Sequence, residues 1–402
     1  MLKKDNFFKN YFVNSRRYYE NIKKVKKTYS SFLVDLKNFK IPLLESYEKD
    51  YKFNFSTATV KKFSKYKNII IFGMGGSILG TKSIYSFFKK KIKKEVFFFD
   101  NLDSNLNLKY KKIKNINNSC FIVVSKSGNT LETITNLGTV FSKTLLKNKL
   151  IIITEITDSA LMAIANKYDA EIIEHKEFIG GRYSVLSESG MFPVALMGLN
   201  LMKFKNLKTL IKNKNFVSSL IQNVAGIYTL QLNRINNSVI LNYDSSLNDL
   251  GYWYQQLIAE SLGKQGKGIN PILSFGPKDH HSLLQLYLDG PKDKFFTFIN
   301  SSKEENKFKI TGDIIPSNMR FLKNKNLEFI INAQCKATKN IFELKKIPFR
   351  QITFSKKSEG QLGEIFTFFV LETILLSRLM NINPFDQPAV EEVKIETKKF
   401  LR

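Results

Sequence analysis

The glutamate at position 260 lies in the segment WYQQLIAESLGKQGKG (residues 253–268), which predicts a helix ending in a lysine- and glycine-rich turn. At 3.6 residues per turn the apolar side chains share one stripe, whereas Tyr252, Gln256 and Glu260 fall on another side. The carboxylate of Glu260 therefore follows the amide of Gln256 by one turn. A lone glutamate on a helix is usually solvated surface, and acid–base catalysis is the alternative that the rest of the chain must support.

A glycine-rich turn in the segment IIIFGMGGSILG is a second candidate. Gly73, Gly75, Gly76 and Ser77 stand where a predicted strand passes into a predicted helix. Glycines let the backbone approach an anion closely, and the free N–H groups of a helix N-terminus attract negative charge. The spacing differs from the dinucleotide GxGxxG pattern, so a phosphate or sugar hydroxyl is a better candidate than NAD. A tight turn without a ligand is the alternative.

A hydroxyl-rich turn in the segment VVSKSGNTLET is the third candidate. Ser125, Lys126, Ser127 and Thr130 directly follow a predicted buried strand, and a helix is predicted to start near Thr130. Three hydroxyls and the amides of a helix N-terminus can surround a phosphate monoester. A simple N-cap is the alternative, but one such residue suffices for a cap and several are present here.

Composition limits the classes of function. With 402 residues and 43% hydrophobic content, the chain can bury a core split between two domains. A formal charge of +28 is compatible with nucleic acid, a membrane surface or small anionic substrates as partners. The basic residues are, however, spread along the whole chain, as a general bias in amino-acid composition would place them. Two cysteines and three histidines favour neither a disulfide framework nor a histidine-built metal site, so a reducing cytoplasm fits.

No targeting or membrane-spanning segment is predicted. The first twenty residues lack the apolar run of a secretory signal. The longest apolar stretch, IFTFFVLETILL, is interrupted by Glu372 and is shorter than the roughly 20 residues that cross a bilayer. We therefore predict a buried helix there and a cytoplasmic protein.

Apolar runs of strand length alternate with helical patterns along the chain, which predicts parallel strands with right-handed crossovers in doubly wound α/β layers. The first round has the strands NIIIF (68–72), VFFF (96–99), CFIVV (120–124) and LIII (150–153), with helices at 77–88 and 130–146. The second round has helices at 217–235, around Glu260, from about 279 and at 358–380, and the strands SVIL (238–241), PILSF (271–275), FFTFI (295–299) and LEFII (327–331).

These patterns predict two similar α/β units in series. The linker is predicted within the lysine- and asparagine-rich stretch 203–215. The last segment is predicted to be a charged helix that lies as an arm on another surface. The predicted divisions are an N-terminal helical segment (1–45), a first domain (46–205), a second domain (206–384) and a C-terminal helix (385–402).

Several motifs together resemble a known family. GMGGS and SKSGNTLET resemble the sugar-isomerase (SIS) domain, whose hydroxyl-rich loop holds sugar phosphates. The further motifs are GGRYSVLSESGMFPVALMG (180–198), AESLGKQGKG (259–268), DHHSLLQLYLDGP (279–291) and INPFDQPAVEEVK (382–394). In this order they resemble the phosphoglucose isomerase family. The resemblance implies two doubly wound SIS-type domains, each a three-layer αβα structure, in tandem with a C-terminal helical arm.

The resemblance also implies an activity, the reversible isomerisation of glucose 6-phosphate and fructose 6-phosphate through ring opening and a cis-enediol. Glu260 matches the base that moves a proton between carbons 2 and 1. Arg182 matches the arginine that offsets charge on the enediolate, a structural ion pair being its alternative role. His281 and Lys394 match the acid–base pair that opens the pyranose ring. His280 is the weaker candidate, because adjacent helical residues point about 100° apart.

The remaining implications concern binding and assembly. Gln256 is expected to bind the sugar or orient the carboxylate of Glu260, and Gln387 to contact the phosphate or nearby hydroxyls. The expected phosphate-binding residues are Gly76, Ser77, Ser125, Lys126, Ser127 and Thr130. Neither a metal nor an organic cofactor is expected, and members of the family are commonly homodimers in which the histidine comes from the partner subunit. The sequence AVEEVK departs from the common GVELGK form, which leaves the packing of the terminal helix open.

Two alternatives remain at this stage. One is a broader isomerase that also accepts mannose 6-phosphate and uses the same base. The other is a non-catalytic SIS-type sensor that binds sugar phosphates and, through its positive charge, nucleic acid. Such a regulator needs an appended DNA-reading module, and the sequence shows none. We therefore expect a sugar-phosphate substrate and neither a nucleic-acid nor a membrane partner.

Overall fold

The computed structural model describes residues 2–5, 7–140, 148–302 and 308–402. Its strands form two five-stranded sheets. The strands are β1 (Lys3–Asp5), β2 (Asn68–Gly73), β3 (Glu95–Phe99), β4 (Ser119–Val124), β5 (Leu150–Thr154), β6 (Glu171–Glu174), β7 (Asn237–Asn242), β8 (Asn270–Phe275), β9 (Lys294–Ser301) and β10 (Phe349–Phe354).

Helices connect and cover these strands. The α-helices of the described residues are α1 (Arg16–Lys37), α2 (Thr57–Ser64), α3 (Gly76–Phe88), α4 (Leu106–Lys111), α5 (Leu131–Val140), α6 (Ala160–Tyr168), α7 (Glu188–Leu196), α8 (Leu207–Leu210), α9 (Lys214–Leu232), α10 (Asn248–Leu262), α11 (Leu284–Asp289), α12 (Leu327–Leu344), α13 (Glu359–Met380) and α14 (Ala389–Phe400). The predicted helix 130–146 corresponds to α5, and its residues 141–147 lie outside the described residues.

The first sheet has the order β3-β2-β4-β5-β6, and all of its strands are parallel. Every residue of β2, β4 and β5 is buried, as expected of parallel strands covered on both faces. The four apolar runs predicted as strands are all confirmed. Strand β6 was not predicted, because its four residues, EIIE, begin and end on a charged side chain.

The second sheet has the order β1-β10-β9-β7-β8. Strands β7 to β10 are parallel, whereas β1 pairs with β10 in the antiparallel direction. The predicted α/β architecture is thus confirmed. The N-terminal segment is not only helical, however, since β1 adds an edge strand to the second sheet before α1 begins.

Two local predictions are wrong. The segment LEFII is not a strand, since it opens helix α12, whose N-cap Asn326 accepts a hydrogen bond from the backbone N–H of Phe329 at 2.8 Å. The helix predicted from about residue 279 is divided into a 3₁₀ turn, Lys278–His280, and the short helix α11. The stretch 203–215, predicted as the linker, contains the short helix α8 and buries Leu207 and Leu210.

The long apolar helix is confirmed as buried. Twenty of the 22 residues of α13 are buried, including the charged Glu372. Glu372 forms an ion pair with Arg350 of β10, and both side chains are 0% exposed. A buried charge needs such a partner, which explains how an arginine lies inside a parallel strand. No helix of the described residues is long and apolar enough to cross a membrane.

The C-terminal helix α14 has no buried residue. Its exposed side chains include apolar ones, among them Val393, which is 67% exposed, and Ile395, which is 56% exposed. The prediction of a terminal helical arm is therefore confirmed, and this helix has an apolar surface that the described residues do not cover.

Candidate active site

The glycine-rich turn between β2 and α3 packs against two other segments. A Cβ atom on Gly76 would lie 2.2 Å from the carbonyl carbon of Gly181, and one on Gly75 would lie 2.8 Å from Nε2 of Gln256. Gly75 also has a φ of +51°, a conformation that side chains rarely adopt. The glycines therefore allow the turn to reach both the Arg182 segment and helix α10.

Arg182 lies in the 3₁₀ turn Gly181–Leu186 and is only 2% exposed. Its Nε donates to Oγ of Ser261 at 2.8 Å, and one terminal nitrogen donates to Oε2 of Glu260 at 3.2 Å. The guanidinium thus binds two consecutive residues of α10. Such a fixed cation, shielded from water, is well placed to stabilise negative charge beside Glu260.

The carboxylate of Glu260 is held by two donors. Arg182 contacts Oε2, and Nε2 of Gln256 donates to Oε1 at 2.8 Å. The apolar stripe of α10 is buried as predicted, and it fixes the orientation of the polar side that carries Gln256 and Glu260. About a third of the Glu260 side chain remains exposed. The carboxylate is therefore oriented by the protein and still accessible to a ligand.

The loop between α13 and α14 is bound to the same arginine. Arg182 donates to Oε1 of Gln387 at 2.7 Å and to the carbonyl oxygens of Asp386, at 3.0 Å, and Pro384. Lys264, in the turn after α10, donates to the side chain of Asp386 at 2.6 Å and holds the pKa of that carboxyl below its usual range. These contacts place Gln387 beside Arg182.

The hydroxyl-rich loop follows β4, directly beside the glycine-rich turn, because Gly73 of β2 pairs in register with Val124 of β4. The carboxyl ends of neighbouring parallel strands are where α/β proteins bind ligands. Within the loop, the hydroxyls of Ser125 and Thr130 lie 2.7 Å apart, and Oγ of Ser127 accepts from a backbone N–H at 3.4 Å.

Two further predicted phosphate ligands differ in their surroundings. The ammonium of Lys126 donates to the carbonyl oxygen of Glu177 at 2.6 Å and lies 3.5 Å from Oε1 of Glu155, so this lysine has protein partners already. Ser77 lies in the first turn of α3 and is half-buried. Its position at a helix N-terminus is the one that the sequence predicted.

The two adjacent histidines differ in their surroundings. The ring of His280 lies 2.6 Å from the hydroxyl of Tyr243 and 3.3 Å from that of Thr338. Burial, followed by the nearby His281, lowers the pKa of His280. His281 is exposed and contacts neither Glu260 nor Arg182 within the described residues of this chain. His280 is thus engaged in the protein, whereas His281 is accessible from outside.

Lys394 is also apart from the other candidates. It lies on the exposed helix α14, and its ammonium forms an ion pair with Glu391 at 2.6 Å. The described residues of one chain thus bring together Glu260, Arg182, Gln256 and Gln387. They do not bring His281 or Lys394 to that group.

Three residues of the site were missed by the sequence reasoning. Ser261 accepts from Arg182 and lies 2.9 Å from the hydroxyl of Tyr183. Tyr183 also donates to the carbonyl oxygen of Pro384 at 3.0 Å, and Lys264 binds the same loop. All three lie within the motifs AESLGK and GGRYS, and this adjacency to Glu260 and Arg182 was the signal available.

The two doubly wound sheets, with the glycine-rich and hydroxyl-rich turns at the carboxyl ends of β2 and β4, define an α/β protein of the SIS type. The model of one family, phosphoglucose isomerase, matches residues 45–401. The chain belongs to this family, and the resemblance inferred from its motifs is confirmed.

Comparisons with individual proteins agree with this family membership. The chain is 35% identical over 347 residues to a glucose-6-phosphate isomerase of Methanocaldococcus jannaschii, with 83% of this chain and 84% of that protein covered. It is 32% identical over 356 residues to a glucose-6-phosphate isomerase of Campylobacter jejuni, with 83% and 85% covered.

Two solved structures share the fold. A hypothetical protein of Thermus thermophilus has a TM-score of 0.82 at 22% identity, with both chains fully covered. A glucose-6-phosphate isomerase of Chlamydia trachomatis has a TM-score of 0.71 at 18% identity, with 86% of this chain and 71% of that chain covered. At these identities the likeness establishes the fold alone.

Proposed function

We propose that this chain is an aldose–ketose isomerase that interconverts glucose 6-phosphate and fructose 6-phosphate. Membership of the phosphoglucose isomerase family and the curated relatives of that activity support the proposal. The observation that carries it is the Glu260 carboxylate, held between the Arg182 guanidinium and the Gln256 amide beside the glycine-rich turn. A base next to a fixed cation is the arrangement that proton transfer on a sugar requires.

In the proposed reaction Glu260 is the general base. From open-chain glucose 6-phosphate it takes the proton of carbon 2, which leaves a cis-enediol, and it returns a proton to carbon 1. The hydroxyl proton passes from oxygen 2 to oxygen 1, so the aldehyde becomes an alcohol and carbon 2 becomes a ketone. Arg182 stabilises the negative charge on the enediolate oxygens. A positioned base of this kind contributes roughly 10²–10⁴ in rate.

The phosphate is proposed to bind at the hydroxyl-rich loop. The hydroxyls of Ser125, Ser127 and Thr130 and the amides at the start of α5 supply hydrogen-bond donors there, and Lys126 adds positive charge. The adjacent turn, with Gly76 and Ser77, offers a second set of donors. Gln256 and Gln387 then bind sugar hydroxyls between the phosphate and Arg182.

Ring opening is assigned to His281 and Lys394. Because His281 is exposed and α14 is wholly exposed, we propose a homodimer in which His281 enters the site of the partner subunit. The apolar side chains of α14 supply surface for such an assembly. Catalysis would then depend on dimerisation.

We also propose that the protein works in the cytoplasm. Both cysteines, Cys120 and Cys335, are free and buried. Burial raises the pKa of the Cys120 thiol to about 12 and that of the Cys335 thiol to about 11. Unreactive thiols of this kind fit a reducing compartment.

A coupled assay with purified protein tests the activity. Glucose 6-phosphate formed from fructose 6-phosphate is measured, and mannose 6-phosphate is supplied in a parallel reaction. The proposal predicts turnover of fructose 6-phosphate and at most slow turnover of mannose 6-phosphate. Equal rates would indicate the broader isomerase, and salt-dependent DNA binding without turnover would indicate the non-catalytic sensor.

A further inference from the structure

We propose that the chain has a second anion site, for an oligophosphate, at the edge of the first sheet opposite the catalytic loops. A cavity of about 660 Å³ lies there, at the amino ends of β2, β3 and β4. Six lysines line it: Lys65, Lys67, Lys93, Lys94, Lys112 and Lys114. We call this cavity the lysine pocket.

The topology of the sheet creates this cluster. Lys67 immediately precedes β2, Lys94 immediately precedes β3, and Lys114 lies shortly before β4. These strands are neighbours and parallel, and Asn68, the first residue of β2, pairs in register with the first residues of β3 and β4. Lysines far apart in the sequence therefore converge at one edge.

Composition alone does not explain the lysine pocket. Lysine and arginine together make up 63 of the 402 residues, whereas lysine makes up six of the eleven residues that line this cavity. Among the lining residues Glu95 is the only acidic one, and it has no ion pair with any of the lysines. The mutual repulsion of the lysines is therefore left for an external anion to offset.

The lysines are arranged around one anchored member. Lys94 donates to the carbonyl oxygens of Ser64, at 2.7 Å, and Tyr66, which fixes its ammonium at the cavity wall. The other five lysines are exposed, and none forms an ion pair with a described carboxylate. They can turn toward a bound anion.

The shape and lining favour a compact phosphate chain. A volume of about 660 Å³ lies within the range of small-molecule sites. Sites for single-stranded nucleic acid present aromatic faces on which bases stack. Tyr66 is the only aromatic residue among those that line the cavity, and it is 8% exposed. Several closely spaced ammonium groups instead match several linked phosphates.

Two matched variants test the proposal. The first replaces Lys67, Lys93, Lys112 and Lys114 by Gln. The control replaces Lys9, Lys26, Lys212 and Lys214 by Gln, four exposed lysines that line a separate groove beside α1. Each variant lowers the net charge of +28 by four, so general electrostatic attraction falls equally.

Calorimetric titration with tripolyphosphate, at about 0.15 M salt and with saturating fructose 6-phosphate to occupy the catalytic site, gives the readout. We expect one saturable site whose affinity falls at least about tenfold in the lysine-pocket variant and stays within about twofold in the control. A nucleoside triphosphate should bind at this site as free tripolyphosphate does, and orthophosphate much more weakly.

Three outcomes would overturn the proposal. They are the absence of saturable binding in the unmodified protein, equal weakening in both variants, and orthophosphate binding as tight as that of tripolyphosphate. Isomerase activity should be the same in both variants and in the unmodified protein, so a failure of this proposal is distinguishable from a failure of the proposed function.

Discussion

At the scale of single residues, the surroundings of Glu260 distinguish it from a solvated surface glutamate. Helical periodicity alone predicted that Gln256 and Glu260 share one side of α10, and the 2.8 Å contact between them agrees. The contact with Arg182 joins residues 78 positions apart, and no local pattern predicts such a pair. Family resemblance was needed to connect them.

Ser261 is a positioning residue in this account, and its replacement by Ala gives a first prediction. Its hydroxyl accepts from Nε of Arg182 at 2.8 Å inside the protein. A hydrogen bond to a charged group contributes roughly 1.5–3 kcal/mol, so Ser261→Ala should lower kcat about tenfold or more. The KM for fructose 6-phosphate should change less than about twofold, because Ser261 is fully buried and acts through Arg182.

Tyr183→Phe is the matched control for this prediction. It removes the other hydroxyl that contacts Ser261 but keeps the bond between Ser261 and Arg182. We expect a smaller fall in kcat than in Ser261→Ala. If both variants lose kcat and raise KM in parallel, Ser261 has only a structural role and the assignment is wrong.

At the scale of elements, the loop between β6 and the Arg182 turn is held by a buried histidine. Nε2 of His175 lies 2.8 Å from the carbonyl oxygen of Ile179, and Nδ1 lies 2.9 Å from Oγ of Ser189. A carbonyl only accepts, so Nε2 carries the proton and Nδ1 accepts from the serine. Burial lowers the pKa of His175 to about 4.

This burial predicts a pH dependence of stability. The pKa of a histidine is about 6.5 in an unfolded chain, so between pH 6.5 and about 4 the unfolded chain binds the extra proton. The contribution of neutral His175 to the free energy of unfolding is complete above pH 6.5 and is lost as the pH falls toward 4. Between pH 7 and pH 4, the free energy of unfolding measured with urea should therefore fall by about 3 kcal/mol more in the wild type than in His175→Gln.

Other titrating groups are common to both proteins, so the difference between the two isolates His175. Equal losses in the wild type and in His175→Gln would show that folding does not lower the pKa of this histidine. A loop loosened by acid would also displace Arg182, seven residues further on, so activity should fall over the same range.

The elements also show where sequence reasoning succeeds. Buried parallel strands are continuous apolar runs, and every predicted strand of the first sheet is present. The run LEFII was mistaken for a strand because five residues are too few to show whether the apolar side chains recur at helical or at strand spacing. Its helical register becomes visible only further on, where the buried Cys335, Thr338 and Phe342 follow at helical spacing. Strand β10 was missed because of Arg350, whose partner Glu372 lies on another element.

At the scale of the whole molecule, one chain presents an incomplete set of the proposed catalytic groups. Glu260 and Arg182 are together, whereas His281 is exposed and Lys394 lies on the exposed arm α14. The family resemblance predicted which residues act and also that His281 comes from the partner subunit. That second expectation rests on the resemblance, because no pattern within one chain shows which subunit supplies a residue.

Hybrid dimers test this division. Two chains carrying different affinity tags, one with Glu260→Gln and one with His281→Asn, are coexpressed and the hybrid is purified. If His281 enters the partner's site, one of the two sites combines an intact Glu260 with an intact His281. The hybrid should then have about half the activity of the wild-type dimer, since one site in two is restored.

The control hybrid pairs the wild-type chain with one that carries both substitutions. Each of its two sites should lack one group, so its activity should be low. The reverse result, an inactive first hybrid and a half-active control, would show that Glu260 and His281 act within the same chain.

The central claim is that the Glu260 carboxylate carries the proton between carbons 2 and 1. Deuterium incorporation at carbon 2 of glucose 6-phosphate in D₂O measures this transfer directly. We predict that Glu260→Gln slows incorporation by at least about 10²-fold with sugar-phosphate binding nearly intact, whereas Glu343→Gln, at an exposed position of α12, exchanges as the wild type does. Exchange in Glu260→Gln at a rate close to that of the wild type would contradict the account.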